Sequence, residues 1–351
     1  MKKDIRKSSE HRLPEETIGI DLGDKMSHYA ILSGEGTLVE EGTFRNQPES
    51  IRLHFSGKPA RIALEAGAQS AWISRELKQL GHEVIVANAR QVKWVTAGDN
   101  KHDRVDARKL ARLARADERL LTPIEHRSAD QQTDLSVIRS RDALVRARTL
   151  LVNAARGIAK GIGHRLPKTI TLTFGKRAAA ALPEQLLPVL APLLAQIDRL
   201  SEGIAEYEAR IHTIAARRPE VQKLTSVPGV GTLTALAFTL TLGRASRFER
   251  SRDVGSYLGL RPRRQQSGAR DPELGISRAG DPYLRRLLVQ CAHHVLGRFG
   301  PESALRQWGL ARAGGTKATK RAIVAVARKL AVVLHSLWVS GEEFKPFPMK
   351  G

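Results

Sequence analysis

Four acids, Asp21, Glu65, Asp103 and Asp106, stand where their side chains can ligate a cation, although Lys and Arg (58) outnumber Asp and Glu (36) for a formal charge of +22 over 351 residues. Asp21 closes the apolar run Thr17-Ile18-Gly19-Ile20 ahead of Leu22-Gly23, a pattern that reads as a buried strand delivering a carboxylate to its C-terminal end. Glu65 repeats it after Ile62-Ala63-Leu64, with Ala66-Gly67 behind. Asp103 and Asp106 lie in Lys101-His102-Asp103-Arg104-Val105-Asp106-Ala107-Arg108, and their i,i+3 spacing puts both on one face in the first turn of a helix. Carboxylates so close repel and raise each other's pKa unless a cation bridges them. Oxygen ligands of this kind suit Mg²⁺ or Mn²⁺, and two such ions can clamp the attacking and leaving oxygens of a phosphodiester. Alone, Asp106 is better explained by solvation or an ion pair with Lys109; jointly, two acids ending strands and two sharing a helical turn favour the metal.

A second cluster runs Tyr257-Leu258-Gly259-Leu260-Arg261-Pro262-Arg263-Arg264-Gln265-Gln266-Ser267-Gly268-Ala269-Arg270 and continues through Gly275-Ile276-Ser277-Arg278-Ala279-Gly280. Arg261, Arg263, Arg264, Arg270 and Arg278 surround Ser267 with guanidinium groups suited to bidentate phosphate contacts. Ser267 is a candidate nucleophile, but the stretch offers no general base. Composition by itself favours a phosphate-gripping loop whose serine only donates a hydrogen bond. A third element, Val227-Pro228-Gly229-Val230-Gly231, reads as the turn of a helix-hairpin-helix in which Pro228, Gly229 and Gly231 expose backbone N–H groups to a DNA phosphate. An ordinary glycine-rich turn fits it as well. Cys291 and His294 are spaced i,i+3 beside His293, yet no second pair has zinc spacing, so a core thiol is expected.

The charge points to a polyanion, with nucleic acid ahead of a membrane surface. No segment reaches the roughly 20 apolar residues of a span, and no lipidation signal occurs. A single cysteine excludes an intramolecular disulfide, and Met1-Lys2-Lys3-Asp4-Ile5-Arg6-Lys7 lacks the apolar core of a signal peptide. A cytoplasmic protein with a loose basic tail over 1–14 is expected.

The elements that must position these groups follow from periodicity. Strands are predicted at 17–22, 28–33, 37–44, 60–65 and 83–87, with a helix after the third and another at 70–80. Three strands followed by alternating helix and strand is the order of a ribonuclease-H-like α/β fold, which would set Asp21 and Glu65 at its ligand-binding edge. Beyond 130 the pattern is helical. Val137, Leu144, Leu151 and Ile158 mark one stripe, edged by Arg139, Arg141, Arg146, Arg148 and Arg156. Leu193, Ile197, Leu200, Ile204, Tyr207, Ile211 and Ile214 form an a/d seam, and Pro188 and Pro192 place that helix's start near 192. An intramolecular hairpin and a dimerisation arm both satisfy the seam. Further helices are predicted at 281–299, 301–312 and 319–339.

Taken together and in order, these motifs resemble the DEDD transposases of bacterial insertion sequences, the bridge-RNA-guided serine recombinases, from Ile18 to about Leu296. The resemblance rests on Gly19-Ile20-Asp21, Leu64-Glu65-Ala66-Gly67, Lys101-x-Asp103-x-x-Asp106-Ala107, the Val-Pro-Gly-Val-Gly turn and the Tyr-Leu-Gly-Leu to Leu-Arg series. It implies a RuvC-like metal-binding domain over 15–125, coiled-coil helices over 126–220 and a helical transposase domain with the serine loop over 221–345. It further implies Asp21, Glu65, Asp103 and Asp106 as metal ligands and Ser267 as nucleophile in a site shared between protomers. Dimers or tetramers joined through the coiled coil, DNA and a structured bridge RNA as partners, and action at the bacterial nucleoid belong to the same expectation. Gln266, where many relatives have Ser or Thr, and the acidic Asp271-Pro272-Glu273 depart from the family pattern. A junction nuclease using activated water, a non-catalytic nucleic-acid-binding protein and an actin-like ATPase are the rival readings; the last lacks a second phosphate loop.

Overall fold

The computed structural model describes residues 15–88, 103–263, 274–314 and 319–347, apart from the side chain of Asp103. The tail at 1–14, together with Arg264, Ser267, Arg270 and the 271–273 departure, lies outside the described residues. The chain divides into two compact units, residues 1–127 and 128–351.

The first unit is mixed α/β. Its strands are β1 (Thr17–Asp21), β2 (Met26–Leu32), β3 (Leu38–Arg45), β4 (Arg61–Glu65) and β5 (Glu83–Ala87), and its helices are α1 (Pro48–Phe55), α2 (Ser70–Gln79) and α3 (Asp103–Ala116). The sheet order is β3-β2-β1-β4-β5. Strands β1 to β3 pair antiparallel, while β4 pairs parallel with both β1 and β5. Alternation divides the faces. Ile18, Ile20, Ile62 and Leu64 pack with Ile51, Phe55, Ile73 and Leu77 of α1 and α2. Ala63, Ile85 and Ala87 pack with Leu110 and Ala114 of α3. Strands covered on both faces read as unbroken apolar runs, which is why β1, β4 and β5 were legible.

The second unit is helical: α4 (Ala129–Gly161), α5 (Phe174–Ala181), α6 (Leu187–Ala216), α7 (Pro219–Leu224), α8 (Thr232–Leu242), α9 (Ser251–Tyr257), α10 (Pro282–Leu296), α11 (Ala304–Ala313) and α12 (Lys320–Ser340). Helices α4 and α6 pack against one another within the chain, burying Ile197, Ile204 and Ile211 of the seam. Arg141 pairs with Glu208 at 2.5 Å and Arg148 donates to Ser201 Oγ at 3.1 Å across the same contact. Two expectations are corrected. Helix α6 begins at Leu187, because Pro188 occupies the first turn, where no N–H partner is needed, and buried Leu186 and Leu190 hold the turn despite Pro192. Ile158 is exposed, and Ala155 and Ala159 take the buried positions, since a seven-residue stripe drifts around a helix of about 3.6 residues per turn over 33 residues.

Helix α12 also overturns an expectation, for by length and composition it could cross a membrane. Its buried Val326, Ala327, Leu330, Ala331 and Leu334 lie in the largest core of the unit, and Arg328 and Lys329 in its middle are exposed. A lipid-facing helix seldom tolerates such cations at its centre.

One contact decides where α3 lies. A Cβ on Gly19 would stand 2.0 Å from Ala107 O and 2.5 Å from Ala111 N, so α3 lies backbone to backbone on β1. Gly19→Ala is expected to destabilise the first unit by about 2 kcal/mol or more, the range of overpacking a filled core. Urea unfolding followed through Trp72 checks it; an unshifted midpoint would contradict the packing described.

Candidate active site

Asp21 and Glu65 reach one edge of the first unit by the strand period. Gly19 and Ala63 face α3, so Asp21 and Glu65, two residues on, face the same side. They follow the Ile20–Leu64 pair of neighbouring parallel strands, and both are half-buried. Helix α3 runs against these strands. Its last turn is fastened where β4 begins, Arg61 Nη1 donating to Ala114 O at 3.4 Å, while Arg61 is gripped by Glu83 at 2.9 Å. Its first turn therefore lies toward the opposite edge, where β1 and β4 end in acids. Asp106 is in that turn, half-buried, with Lys109 3.5 Å away as an ion-pair partner. Asp103 begins the helix, and its side chain lies outside the described residues.

Arg108, one turn into α3, hydrogen-bonds Glu41 on β3 through two nitrogens. This guanidinium holds the Glu41 carboxyl below its usual range. The loops behind the acids are stapled as well. Gln69 Nε2 donates to the carbonyls of Gly23 and Asp24 at 3.2 and 2.5 Å, tying the loop after Glu65 to the loop after Asp21. Asn46 Nδ2 donates to the same carbonyls at 2.9 and 3.2 Å. Register sets His28 beside Asp21 on the adjacent strand. His28, Asn46 and Gln69 escaped the sequence reading. Counting residues around a β1–β2 hairpin would have found His28; no pattern announces the two amides. Among the described residues no three His, Cys, Asp or Glu side chains lie close enough together to hold a metal.

In the second unit, the Pro-Gly turn joins α7 to α8. Gly229 has φ of +81°, and a Cβ there would stand 3.0 Å from His294 Cδ2 and 3.1 Å from Cys291 O, which is why glycine occupies it. Gly231 is the N-cap of α8, and no side chain caps that end, so the first amides of the helix face a cavity of about 560 Å³ bordered by Pro228, Gly229, Gln290 and His294. Such an end is a ready anion seat. Cys291 is buried, its thiol pKa pushed up by burial. His293 and His294 are exposed.

Arg261, Arg263 and Arg278 are brought together by a short stem. Arg263 N donates to Gly275 O, Ser277 N to Arg261 O and Arg278 N to Gly259 O, at 2.9–3.1 Å. Pro262 bridges Ile276. Arg261, Arg263 and Arg278 are exposed around this stem, and both ends of the segment carrying Arg264, Ser267 and Arg270 emerge from it.

Comparison with known proteins agrees with both halves. A family model described as a transposase matches residues 18–163, and the model of the transposase IS116/IS110/IS902 family matches residues 221–307. The transposase for insertion sequence element IS1328 of Yersinia enterocolitica is 32% identical over 299 residues, covering 83% of this chain and 87% of the relative. The transposase for insertion sequence element IS1111A of Coxiella burnetii is 31% identical over 337 residues, covering 93% and 91%. A probable family 20 transposase of Pseudomonas aeruginosa is 32% identical over 286 residues, covering 80% and 84%. With Asp21, Glu65 and the first turn of α3 toward one end of the sheet and Arg261, Arg263 and Arg278 around one stem, the chain belongs to the IS116/IS110/IS902 family of insertion-sequence transposases and is an enzyme of DNA transposition.

Proposed function

We propose that the enzyme cuts and rejoins DNA through a covalent serine–DNA intermediate, with Ser267 as nucleophile and Asp21, Glu65, Asp103 and Asp106 as ligands of Mg²⁺ or Mn²⁺. The observation that carries the reading is the approach of Asp21, Glu65 and the first turn of α3 to one edge of a five-stranded sheet. The donor set fits a hard divalent ion, being entirely carboxylate oxygen. A strand order of β3-β2-β1-β4-β5 agrees with a RuvC-like, ribonuclease-H fold over 15–125. The helices of 126–220 and the transposase domain of 221–345, with its helix-hairpin-helix turn, complete the reading.

When bound, the divalent ion supplies charge neutralisation and a lowered pKa for a coordinated hydroxyl. Ser267 Oγ bonds to phosphorus as the bond to one DNA sugar oxygen breaks; the hydroxyl proton is lost from serine and that oxygen takes one up. Rejoining reverses these steps with the hydroxyl of another strand. Arg261, Arg263, Arg264, Arg270 and Arg278 hold the non-bridging oxygens, and the Pro228-Gly229-Gly231 turn holds a phosphate farther along the DNA. A bridge RNA selects the DNA sites, and dimers or tetramers assemble a site from two protomers. Since α4 covers the α6 seam, exposed Leu150, Ile158 and Ile162 are among the apolar groups available to a second protomer.

Two results test this. Ser267→Ala is expected to abolish both recombination and the protein–DNA adduct trapped on end-labelled DNA. An adduct that survives in the variant overturns the nucleophile, and cleavage without any adduct in the unaltered enzyme assigns the acids to a water-activating junction nuclease. Asp21→Asn and Asp106→Asn are each expected to lower cleavage about a hundredfold or more, because a bound cation contributes several kcal/mol of transition-state stabilisation. Unchanged cleavage in either variant, or cleavage that persists in excess chelator, removes the metal from the reading.

A further inference from the structure

The second unit holds a basic groove that neither the acids nor the serine account for. It encloses about 960 Å³ between α11, α12 and the two sides of the stem, at 260–262 and 274–278. Its floor is apolar, with Leu260, Ile276 and Val324. Its rim is cationic: Arg312 comes from α11, and Arg321, Arg328 and Lys329 come from α12. All four are exposed, and among the described residues none has an acid within ion-pair distance. Uncompensated cations crowded on one groove repel one another and favour a polyanion between them.

The cations are held in place before any ligand arrives. Lys329 Nζ stands 4.4 Å from the centre of the Trp308 ring, and the Arg312 guanidinium carbon 5.6 Å from it, so one indole fixes two charges by cation–π attraction. The Arg328 stem crosses Gly255, where a Cβ would stand 2.9 Å from its Cγ. Arg278 borders the same groove with φ of +54°, a left-handed conformation that residues with a Cβ seldom adopt. Strain of this sort persists where neighbouring structure imposes it, often at a ligand site.

We infer that this groove seats the sugar–phosphate backbone of a DNA strand, with Arg312, Arg321, Arg328 and Lys329 as its phosphate partners. Arg321 and Arg328 lie seven residues apart on α12, about 10.5 Å along its axis, which matches the axial rise of about three base pairs of duplex DNA at 3.4 Å each. An acidic protein segment would also meet the rim, but the enzyme acts on DNA, and the groove wall includes Pro262 and Leu274, on either side in sequence of Ser267. The assignment holds whether or not Ser267 is the nucleophile.

The test is the salt dependence of binding by the full chain to a DNA duplex, a DNA single strand and an RNA single strand of the same length and arbitrary sequence, followed by fluorescence anisotropy. Neutralising Arg321, Arg328 and Lys329 together to Gln is expected to lower the slope of log K against log salt by about two to three, close to one for each phosphate that is no longer neutralised. Replacing Arg321 and Arg328 by Lys keeps the slope. The same removal of charge at the exposed Arg165, Lys168 and Lys176 serves as control. If the triple variant is destabilised, Arg312→Gln alone replaces it, with an expected fall of about one. An equal fall in the control, no fall from the groove variants, or a fall confined to RNA of the same length overturns the proposal.

Discussion

The first unit depends on the absence of a side chain at Gly19. The Ala107 carbonyl and the Ala111 amide occupy the space a Cβ would need, so α3 settles directly on the sheet. The rest of that face is correspondingly small, with Ala63 and Ala87 beneath Leu110 and Ala114. Arg61 fastens the last turn through Ala114 O, and Arg108 fastens the side of the helix to Glu41. With a close contact in the middle and polar anchors around it, the direction of α3 is determined. Its acidic first turn falls toward the strand ends that carry Asp21 and Glu65. A one-residue slip of β1 would turn Asp21 to the opposite face and break this convergence.

In the second unit the positive charge is divided by use. Arg141, Arg148 and Arg218 are tied across helix contacts to Glu208, Ser201 and Asp134. Arg156 lies over the Phe174 ring. Arg285 donates to the carbonyls of Leu258 and Ala279, and Arg306 to those of Val295 and Gly297, satisfying acceptors that chain ends and turns leave open. Composition cannot separate these structural arginines from those on the stem and the groove. In the folded unit partners separate them, because the guanidinium groups of Arg141, Arg148, Arg218, Arg285 and Arg306 have their donors engaged with protein oxygen.

Much of the fold was legible from periodicity. The five strands follow the predicted order because their apolar runs are bounded by glycine, acids and turns, and each end agrees within a few residues. The helices at 282–296, 304–313 and 320–340 were legible for a similar reason: Asp281, Ser303 and Thr319 cap their starts by accepting from backbone N–H groups. The misses have local causes. Pro192 reads as a helix boundary, yet burial of Leu190 against Ala159 outweighs one missing hydrogen bond. Ile158 reads as core, yet its side chain stands on the exposed side of α4.

The candidate site divides in the same way. Asp21, Glu65, Asp103, Asp106 and the arginines around Ser267 could be named from the sequence, because acids that close apolar runs and cations around a serine are patterns of residue type and spacing. Their order along the chain also carried the family. Tertiary structure alone decided that α3 lies antiparallel to β1, that His28 stands beside Asp21, that Gln69 and Asn46 tie the loops behind the acids, and that Trp308 gathers cations from two helices. Those are contacts between residues from separate elements. Local propensity and alternation determine the elements and the faces they present, but which elements meet is settled by packing over the whole domain, where a single missing Cβ outweighs any pattern within one segment.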